Sequence, residues 1–407
     1  GAFTVLGNAG PGSGGLLSQT TGDAVRLVDV TQVTLRGLEI LDAAADGIDA
    51  ATGNGLVLED LRIQRSRGAG VRISGGSNVE IRSSDVFASG LLGTGRALEV
   101  SGLSGNLVVQ DSRLEGAPAG LARVTSSAGS LTVNVDRTSF RSGGPFASDA
   151  AIEIVPDGAA AFLSEVCTSS FADLHGSAVI FGPEAAGSSG SSSLTATSNV
   201  VSGAGGSVRV IGGFATQLQI NISQNAFDGA TGSGVVFVEA SGTASVRGSV
   251  SDNTVRNSGE SAGIVAEVFP GASATLLVQG NLVANTGSDG VQAVNFGGSL
   301  SLAVLANAVD AHNLSTLGFA NAAGIATYGF GGSTCLALGA NAISGTLPSF
   351  VDYHVETQGS SAFSFEEIPD TPESLLTVPF LLGLNTGTTA DILGSIPLSG
   401  GAACGRP

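Results

Sequence analysis

The sequence contains no Met, no Lys and no Trp, and its 407 residues include only two Tyr and three Cys. Because translation starts with Met, we expect that Gly1 follows a segment removed by processing, and a secretory signal peptide is the commonest such segment. Three Cys are too few for a disulfide framework and lack the CxxC spacing of metal or redox motifs. Sugar-binding clefts use Trp and Tyr rings, and this chain has almost none.

Charged residues are also scarce, at 12% of the chain, and its 16 basic residues, all Arg, face 34 acidic ones. The net charge of −18 excludes the basic footprint of a nucleic-acid-binding protein and opposes binding to anionic lipid. Residues 1–141 carry 12 Arg and 14 acids, whereas residues 142–407 carry 4 Arg and 20 acids. We interpret this later excess as a solubility device. No apolar run approaches the ~18 residues that span a bilayer, so we predict no membrane insertion.

Glycine is abundant, with 62 residues, and one pattern recurs twelve times at separations of 23 to 34 residues. It consists of an apolar residue, two positions, a small or amide residue, one position and a second apolar residue. An apolar run such as Val71-Arg72-Ile73 precedes most copies and is entered through a small residue. Its alternation of period two indicates strands, and Gly, Ser, Asn and Asp clusters indicate turns. We therefore predict an all-β parallel β-helix, or solenoid, of about 12–13 coils over residues 1–344.

The central residue of each copy would occupy the same place in successive coils. After two leucines, these residues are Ser84, Ser112, Thr138, Ser169, Asn199, Asn225, Asn253, Asn281, Asn307 and Asn341. Buried amides stacked in a column satisfy their hydrogen bonds from coil to coil, so we predict a structural ladder that ends in an asparagine ladder. The alternative is that these Asn lie outside, in turns whose left-handed conformation Asn tolerates. Most Phe residues occupy strand positions, as Phe140 and Phe171 do, and are predicted to lie in the core.

At these residues the chain resembles the right-handed parallel β-helix repeat proteins of bacterial surfaces, relatives in fold of the pectin lyases. The segment Val33-Thr-Leu-Arg-Gly-Leu-Glu-Ile40 is similar to the start of such domains. The ending is more specific, with Cys335-Leu-Ala-Leu-Gly-Ala-Asn341 followed by Gly400-Gly-Ala-Ala-Cys404. The resemblance implies a right-handed coil and an extracellular or cell-surface location.

Residues 345–407 lack the repeat and are predicted to cap the last coil, because an open end exposes unpaired strand edges. Thr371-Pro372-Glu373 has the residues of a helix start and predicts a short helix from about Pro372 to Leu384. We also predict a disulfide between Cys335 and Cys404, which ties the chain end to the last coil.

Parallel β-helices also include enzymes that act on acidic polysaccharides. The sequence has none of the Asn-Thr-Asp, Asp-Asp, Gly-His-Gly or Arg-Ile-Lys blocks of polygalacturonase-like proteins. The residues His175, His312 and His354 are isolated from one another and from any metal-ligand spacing. We accordingly predict no catalytic residue, no cofactor and no metal ligand.

Two charged groups leave alternatives open. The carboxylates of Asp42, Asp46 and Asp49 have the chemistry of a Ca²⁺ site, but the chain has neither EF-hand nor RTX spacing, and a solvated turn is the simpler interpretation. The segment Arg62-Ile-Gln-Arg65-Ser-Arg67 suits an acidic polysaccharide, since Arg binds carboxylates bidentately. The alternative is a surface balanced by neighbouring acids.

The sequence predicts a non-enzymatic, extracellular structural or adhesive solenoid, either a surface protein or a fibre subunit. The different class that it leaves open is a carbohydrate-active enzyme, a lyase or hydrolase acting on acidic polysaccharide. The first strand, formed by Ala2, Phe3, Thr4, Val5 and Leu6, follows no capping helix. We predict that this strand pairs either with preceding coils of a longer precursor or, head to tail, with a second copy. Polysaccharide is a further candidate partner.

Overall fold

The computed structural model describes 15–87, 89–90, 95–143, 150–203, 205–230, 234–259, 262–310, 323–344, 351–358, 361–366, 404 and 407, with backbone alone at 3–6 and 390–393. The chain divides into two compact units, residues 1–206 and residues 207–407. All regular elements of the described residues are β-strands, which confirms the predicted all-β parallel solenoid. The helix predicted from Pro372 to Leu384 lies outside the described residues.

The first unit consists of short strands, and each strand pairs in parallel with the strand three places further along the chain. In chain order they are β1 Phe3–Leu6, β2 Gly15–Ser18, β3 Val25–Val28, β4 Thr31–Arg36, β5 Leu38–Leu41, β6 Ile48–Ala51, β7 Asn54–Glu59, β8 Arg62–Gln64, β9 Val71–Ser74, β10 Ser77–Arg82, β11 Asp85–Phe87, β12 Leu98–Ser101, β13 Ser104–Gln110, β14 Arg113–Glu115, β15 Ala122–Ser126, β16 Ser130–Asp136, β17 Ser139–Arg141, β18 Ile152–Pro156, β19 Ala161–Cys167, β20 Ser170–Ala172, β21 Val179–Phe181, β22 Ser191–Thr197 and β23 Val200–Ser202.

One coil of the first unit therefore contains three strands, and the coils form three parallel ladders. Ladder 1 runs β1-β4-β7 and onward to β22, ladder 2 runs β2-β5-β8 to β23, and ladder 3 runs β3-β6-β9 to β21. Neighbouring coils are in register, so that Leu35 pairs with Leu58 and Leu58 with Ile81. A residue consequently lies beside its counterpart in the next coil, ~4.8 Å away.

The second unit continues the same order with longer strands. They are β24 Val208–Gly212, β25 Gln217–Ser223, β26 Ala226–Asp228, β27 Gly234–Ala240, β28 Ser245–Ser251, β29 Thr254–Arg256, β30 Ala262–Val268, β31 Ser273–Gln279, β32 Leu282–Ala284, β33 Val291–Leu305, β34 Ala308–Asp310, β35 Ala323–Gly339, β36 Ala342–Ser344, β37 Val351–Thr357, β38 Ala362–Phe365 and β39 Ala390–Leu393. Ladder 1 of this unit contains β25, β28 and β31, ladder 2 contains β26, β29, β32, β34 and β36, and ladder 3 contains β24, β27 and β30. Strands β33 and β35 bend from ladder 3 into ladder 1, and each therefore pairs with strands of both ladders.

Alternation along each strand separates an inner face from an outer face. In β16 the inner residues Leu131, Val133 and Val135 are buried, and the residues between them are half-buried. The inner rings of Phe140 and Phe171 are register partners, with centroids 5.0 Å apart and planes at 7°. The burial of both rings agrees with the prediction that Phe140 and Phe171 lie in the core.

Close contact between coils explains the small residues that precede ladder 3. A Cβ at Gly290 would lie 2.3 Å from Cγ1 of Val309 and 2.7 Å from the carbonyl oxygen of Gly324. A Cβ at Gly324 would in turn meet Ile343 and the carbonyl oxygen of Asp352. Glycine is required at these positions because the next coil occupies the space.

The turn between ladder 1 and ladder 2 contains the residues of the predicted structural ladder. Left-handed backbone occurs here, but at the residue before the ladder position, as in Ser198 (φ 57°) and Asp252 (φ 55°). The ladder residues themselves point inward, and Asn253 and Asn281 are each 1% exposed. The turn interpretation is thus wrong for the Asn residues, since the left-handed residue precedes each of them and their amides are buried as the ladder interpretation expected.

In the first unit, hydroxyl groups supply the ladder. Oγ of Ser84 accepts a hydrogen bond from the Leu61 N–H, and Oγ of Ser112 accepts one from the Ser84 N–H, both at 3.2 Å. The Oγ of Ser169 similarly accepts from the Thr138 N–H at 3.2 Å. The last described step joins the Ser169 N–H to Oδ1 of Asn199 at 3.0 Å.

In the second unit, asparagine amides replace the hydroxyl groups. Oδ1 of Asn281 accepts from both the backbone N–H and the Nδ2 of Asn253, each at 3.0 Å. Its own Nδ2 donates to the carbonyl oxygen of Val250 at 2.9 Å. Asn225, Asn253, Asn307 and Asn341 continue this asparagine ladder. An amide offers two N–H donors beside its acceptor oxygen, whereas Ser84 and Ser112 use their single O–H within their own coil, on the carbonyls of Arg82 and Gln110.

The change Asn281→Leu should lower the free energy of unfolding by about 3–5 kcal/mol, because the backbone N–H of Asn253 and the carbonyl oxygen of Val250 lose the buried amide that they bind, although the Nδ2 of Asn253 keeps the carbonyl of Ile222. Urea unfolding of both proteins measures the loss. Asn221→Ala is the control, since this exposed side chain only accepts a 3.4 Å hydrogen bond from Ser249. An equal loss of unfolding free energy in the two variants would contradict a stabilising role of the buried amides.

Candidate functional site

Charges alternate along the outer face of ladder 3 in the first unit. Successive strands place these residues in one register column: Arg26, Asp49, Arg72, Glu99, Arg123 and Glu153. Ion pairs join Arg26 to Asp49 at 3.6 Å and Arg123 to Glu153 at 3.2 Å. Glu153 also meets Arg96 at 2.9 Å, and its side chain is only 10% exposed. The charges of this face are therefore neutralised within the molecule.

The three carboxylates considered for Ca²⁺ have separate partners. Oδ1 and Oδ2 of Asp42 accept hydrogen bonds from Arg65 at 2.6 and 2.9 Å, and this pairing holds the pKa of Asp42 below its usual range. Asp46 accepts from the N–H of Ala69 at 2.7 Å, and Asp49 belongs to the charge column. Across the described part of the chain, no three acidic, His or Cys side chains form a group that could hold a metal ion.

Two arginines of the predicted cluster, Arg62 and Arg65, have acidic or aromatic neighbours. The Arg62 guanidinium lies 5.4 Å from the ring centre of Phe87 and 3.8 Å from Glu39. A cavity of about 350 Å³ opens beside it, and Arg113 on its wall pairs with Glu115. With Arg65 held by Asp42, the surface interpretation accounts for Arg62 and Arg65, whereas Arg67 is exposed and forms no ion pair with the described residues.

In the second unit the outer face of ladder 3 changes character. One register column contains Arg209, Phe237, Val265, Gln292, Ala326 and His354, and the column two residues further on contains Ile211, Glu239, Glu267, Val294, Tyr328 and Glu356. Phe237 and Val265 are 4% and 1% exposed although they face outward. Strands β27 and β30 are thus buried on both faces for most of their length.

Two carboxylates lie side by side on this face. Glu239 and Glu267 are register partners and half-buried. Burial raises the pKa of Glu267, the charge of Glu239 raises it further, and Arg209 partly offsets both. The Arg209 guanidinium lies 5.2 Å over the ring of Phe237. Within the described residues, neither glutamate has an arginine at ion-pair distance, in contrast to the column of the first unit.

A buried hydrogen-bonded cluster lies further along the same ladder. Asp289 is 2% exposed, and its Oδ1 accepts from the N–H of Ala323 at 2.7 Å while its Oδ2 accepts from Nε2 of Gln292 at 2.8 Å. Burial raises the pKa of Asp289 to about 6, against the pull of these hydrogen bonds and of His354. Both carboxylate oxygens are used internally, so Asp289 is a structural acid and not an available general base.

His354 belongs to this cluster, although its isolation in the sequence suggested no partner. Its ring centroid is 5.2 Å from that of Tyr328, and its Nε2 is 3.5 Å from Glu356. Burial, with added repulsion from Asp289 and Glu356, raises the pKa of Tyr328. Sequence reasoning missed the cluster because its members come from different coils. Aligning the coils on the ladder asparagines would have brought them together, had the long spacing between Asn307 and Asn341 not obscured the register.

Two predicted features fall outside this face. The structure joins Cys335 of β35 to Cys404, with Cα atoms 5.5 Å apart. His175 lies in a turn and is exposed, and His312 lies outside the described residues.

A family model for the right handed beta helix region matches residues 16–140. Together with the three parallel ladders, this match supports the right-handed parallel β-helix as the fold family. No curated protein matches the sequence. The part of the chain described by the structure has no helix long and apolar enough to cross a membrane.

The pKa of Asp289 predicts a specific pH dependence. Because the folded chain holds this proton up to about pH 6 and the usual value is 3.8, the folded state binds more protons between those limits. Lowering the pH through this window therefore favours folding at this group, and above pH 6 the ionised carboxylate destabilises the fold by up to about 3 kcal/mol.

Asp289→Asn keeps an acceptor for the Ala323 N–H and removes the buried charge. We expect the variant to gain stability over the wild type above pH 6 and to lose that advantage as the pH approaches 4, measured by urea unfolding on both sides of pH 6. Asp252→Asn, at an exposed carboxyl of the same unit, is the control. A gain that is the same at every pH would show that Asp289 is not the titrating group.

Proposed function

We propose that the protein is a non-enzymatic, extracellular β-solenoid with a structural or adhesive role. The observation that carries this proposal is that the polar side chains of its coils are committed to neighbouring coils. The asparagine ladder, the alternating charge column and the Asp289 cluster all join one coil to the next. Such groups stabilise a repeat structure and leave few side chains for chemistry on a substrate.

The disulfide supports the extracellular part of the proposal. A bond between Cys335 and Cys404 persists in oxidising compartments and is rare in the reducing cytosol. The third cysteine, Cys167, is half-buried, and burial raises the pKa of its thiol, as do Glu165 and Asp136. A thiol of this kind is mostly protonated and reacts poorly at neutral pH.

An enzyme acting on acidic polysaccharide is supported less well. Such an enzyme needs cationic groups that bind uronate carboxylates. In the first unit Arg65, Arg72 and Arg123 are engaged in ion pairs. In the second unit the outer face of ladder 3 presents Glu239 and Glu267, which would repel an anionic chain.

The proposal also includes self-association of the chain through its first coil. Among the described residues, β1, β2 and β3 each pair on one edge only, with β4, β5 and β6. Leu17 of β2 is in register with the fully buried Ile40 yet remains 36% exposed. Free strand edges beside an uncovered inner residue favour pairing with another coil. We propose that this coil comes from a second copy stacked head to tail or from a preceding segment of a longer chain.

The change Leu17→Lys should abolish self-association, because it places a charge where the next coil would stack. Light scattering over a concentration series measures it: the wild type should gain mass with concentration, and the variant should stay monomeric. Leu163→Lys is the matched control, since Leu163 is 51% exposed on β19, which pairs on both edges. A wild type that is monomeric throughout, or a control that behaves like Leu17→Lys, would refute head-to-tail stacking.

A further inference from the structure

Aromatic rings, one half-buried and two exposed, form a row where ladder 3 turns into ladder 1 in the second unit. Phe269, Phe296 and Phe330 come from successive coils, and their centroids are 4.9 and 5.7 Å apart with planes at 20° and 19°. Phe296 and Phe330 are 40% and 41% exposed. The sequence interpretation, which assigned most Phe to the core, does not apply to these residues. We call the three rings the aromatic ridge.

The stacking decides what the ridge offers to a partner. Rings this close and nearly parallel cover one another's faces, so their edges are directed to solvent. A sugar that stacks on an aromatic residue needs an open ring face. The aromatic ridge instead presents a continuous apolar edge, which suits apolar side chains of a polypeptide.

Two carboxylates without an arginine at ion-pair distance lie near this ridge. Glu267 is two residues before Phe269, which directly follows the end of β30, and its register partner Val294 is two residues before Phe296 within β33. Glu239 is the register partner of Glu267, and like charges directly opposite each other destabilise a sheet. In the first unit the same ladder pairs each carboxylate with Arg, whereas here no arginine of the described residues lies at ion-pair distance and Arg209 offsets the repulsion only in part.

Charge selects the occupant. Residues 142–407 contain 4 Arg and 20 acidic residues, which attracts a basic partner and repels an anionic polymer. Arg on a partner would pair with the two glutamates, and neighbouring apolar side chains would cover the rings. We propose that the aromatic ridge with Glu239 and Glu267 is a docking surface for an extended protein segment that alternates basic and apolar residues. This proposal deepens the adhesive role, on which it rests.

The test uses the full chain and short labelled peptides, with binding followed by fluorescence anisotropy. The first peptide alternates Arg and Leu, the second has Glu in place of Arg, and the third has Ser in place of Leu. We expect only the first to bind well, and we expect its affinity to fall severalfold as salt rises from about 0.05 to about 0.5 M, because salt screens charge pairs.

Substitutions then locate the surface. Glu239→Gln combined with Glu267→Gln should weaken binding of the first peptide about tenfold, as should Phe296→Ser combined with Phe330→Ser. Glu165→Gln and Leu163→Ser are the controls, since both side chains are exposed on β19 of the first unit. Both should bind like the wild type. If the double Phe change impairs folding, Phe330→Arg tests the same position, because the introduced cation should repel the basic peptide.

Three outcomes would overturn the proposal. Equal weakening in the controls would show a general attraction of basic peptides to an acidic protein. Retained affinity in both the glutamate and phenylalanine variants would place the contact elsewhere. Binding of a soluble neutral glucan that the same variants abolish would identify a glycan site instead. The self-association assay with Leu17→Lys uses other residues, so a failure of the docking surface is distinguishable from a failure of the structural role.

Discussion

Parallel pairing in register is the constraint on which both units depend. Once β4 pairs with β7 and β7 with β10, every side chain lies beside its counterpart one coil away. The same kind of side-chain contact therefore recurs in every coil. A favourable contact stabilises the ladder at each step, and an unfavourable one destabilises it at each step. Asparagine exploits this rule, because an amide donates to one coil and accepts from another.

Charged residues show both consequences of the rule. In the first unit the column from Arg26 to Glu153 alternates in sign, and each carboxylate has an arginine beside it. In the second unit Glu239 and Glu267 stand next to each other and burial raises the pKa of Glu267. The first arrangement uses its charges for cohesion. In the second unit the repulsion between Glu239 and Glu267 remains, and a bound cation would reduce it, which is why we place the docking surface there.

Asp46 and Asp289 illustrate how the surroundings alter an equivalent contact. Each precedes a glycine that enters ladder 3, and each accepts a backbone hydrogen bond at 2.7 Å from the next coil, at Ala69 and Ala323 respectively. Burial raises the pKa of both carboxyls. The other oxygen of Asp46 lies 3.0 Å from the cation of Arg72, whereas that of Asp289 meets the neutral amide of Gln292. Burial is the main cause of the pKa of about 6 at Asp289, and the hydrogen bonds from Ala323 and Gln292 lower this pKa without offsetting the burial.

The sequence by itself determined the strands, the solenoid and the buried ladder, because these depend on local alternation and on a repeat that returns within 23 to 34 residues. It also indicated where glycine is needed, though not that the next coil fills the space beside Gly290. Only the tertiary structure decided which residues meet across coils. Glu239 and Glu267 each follow a ladder asparagine, Asn225 or Asn253, by 14 residues, so this pair could be read from the spacing. The bent strands β33 and β35 shift the register further along the chain, so the cluster of Asp289, Tyr328 and His354 could not. Exposure was decided at the same level: Phe140 and Phe296 both lie in strands, but one points into the coil and the other lies at the outer bend.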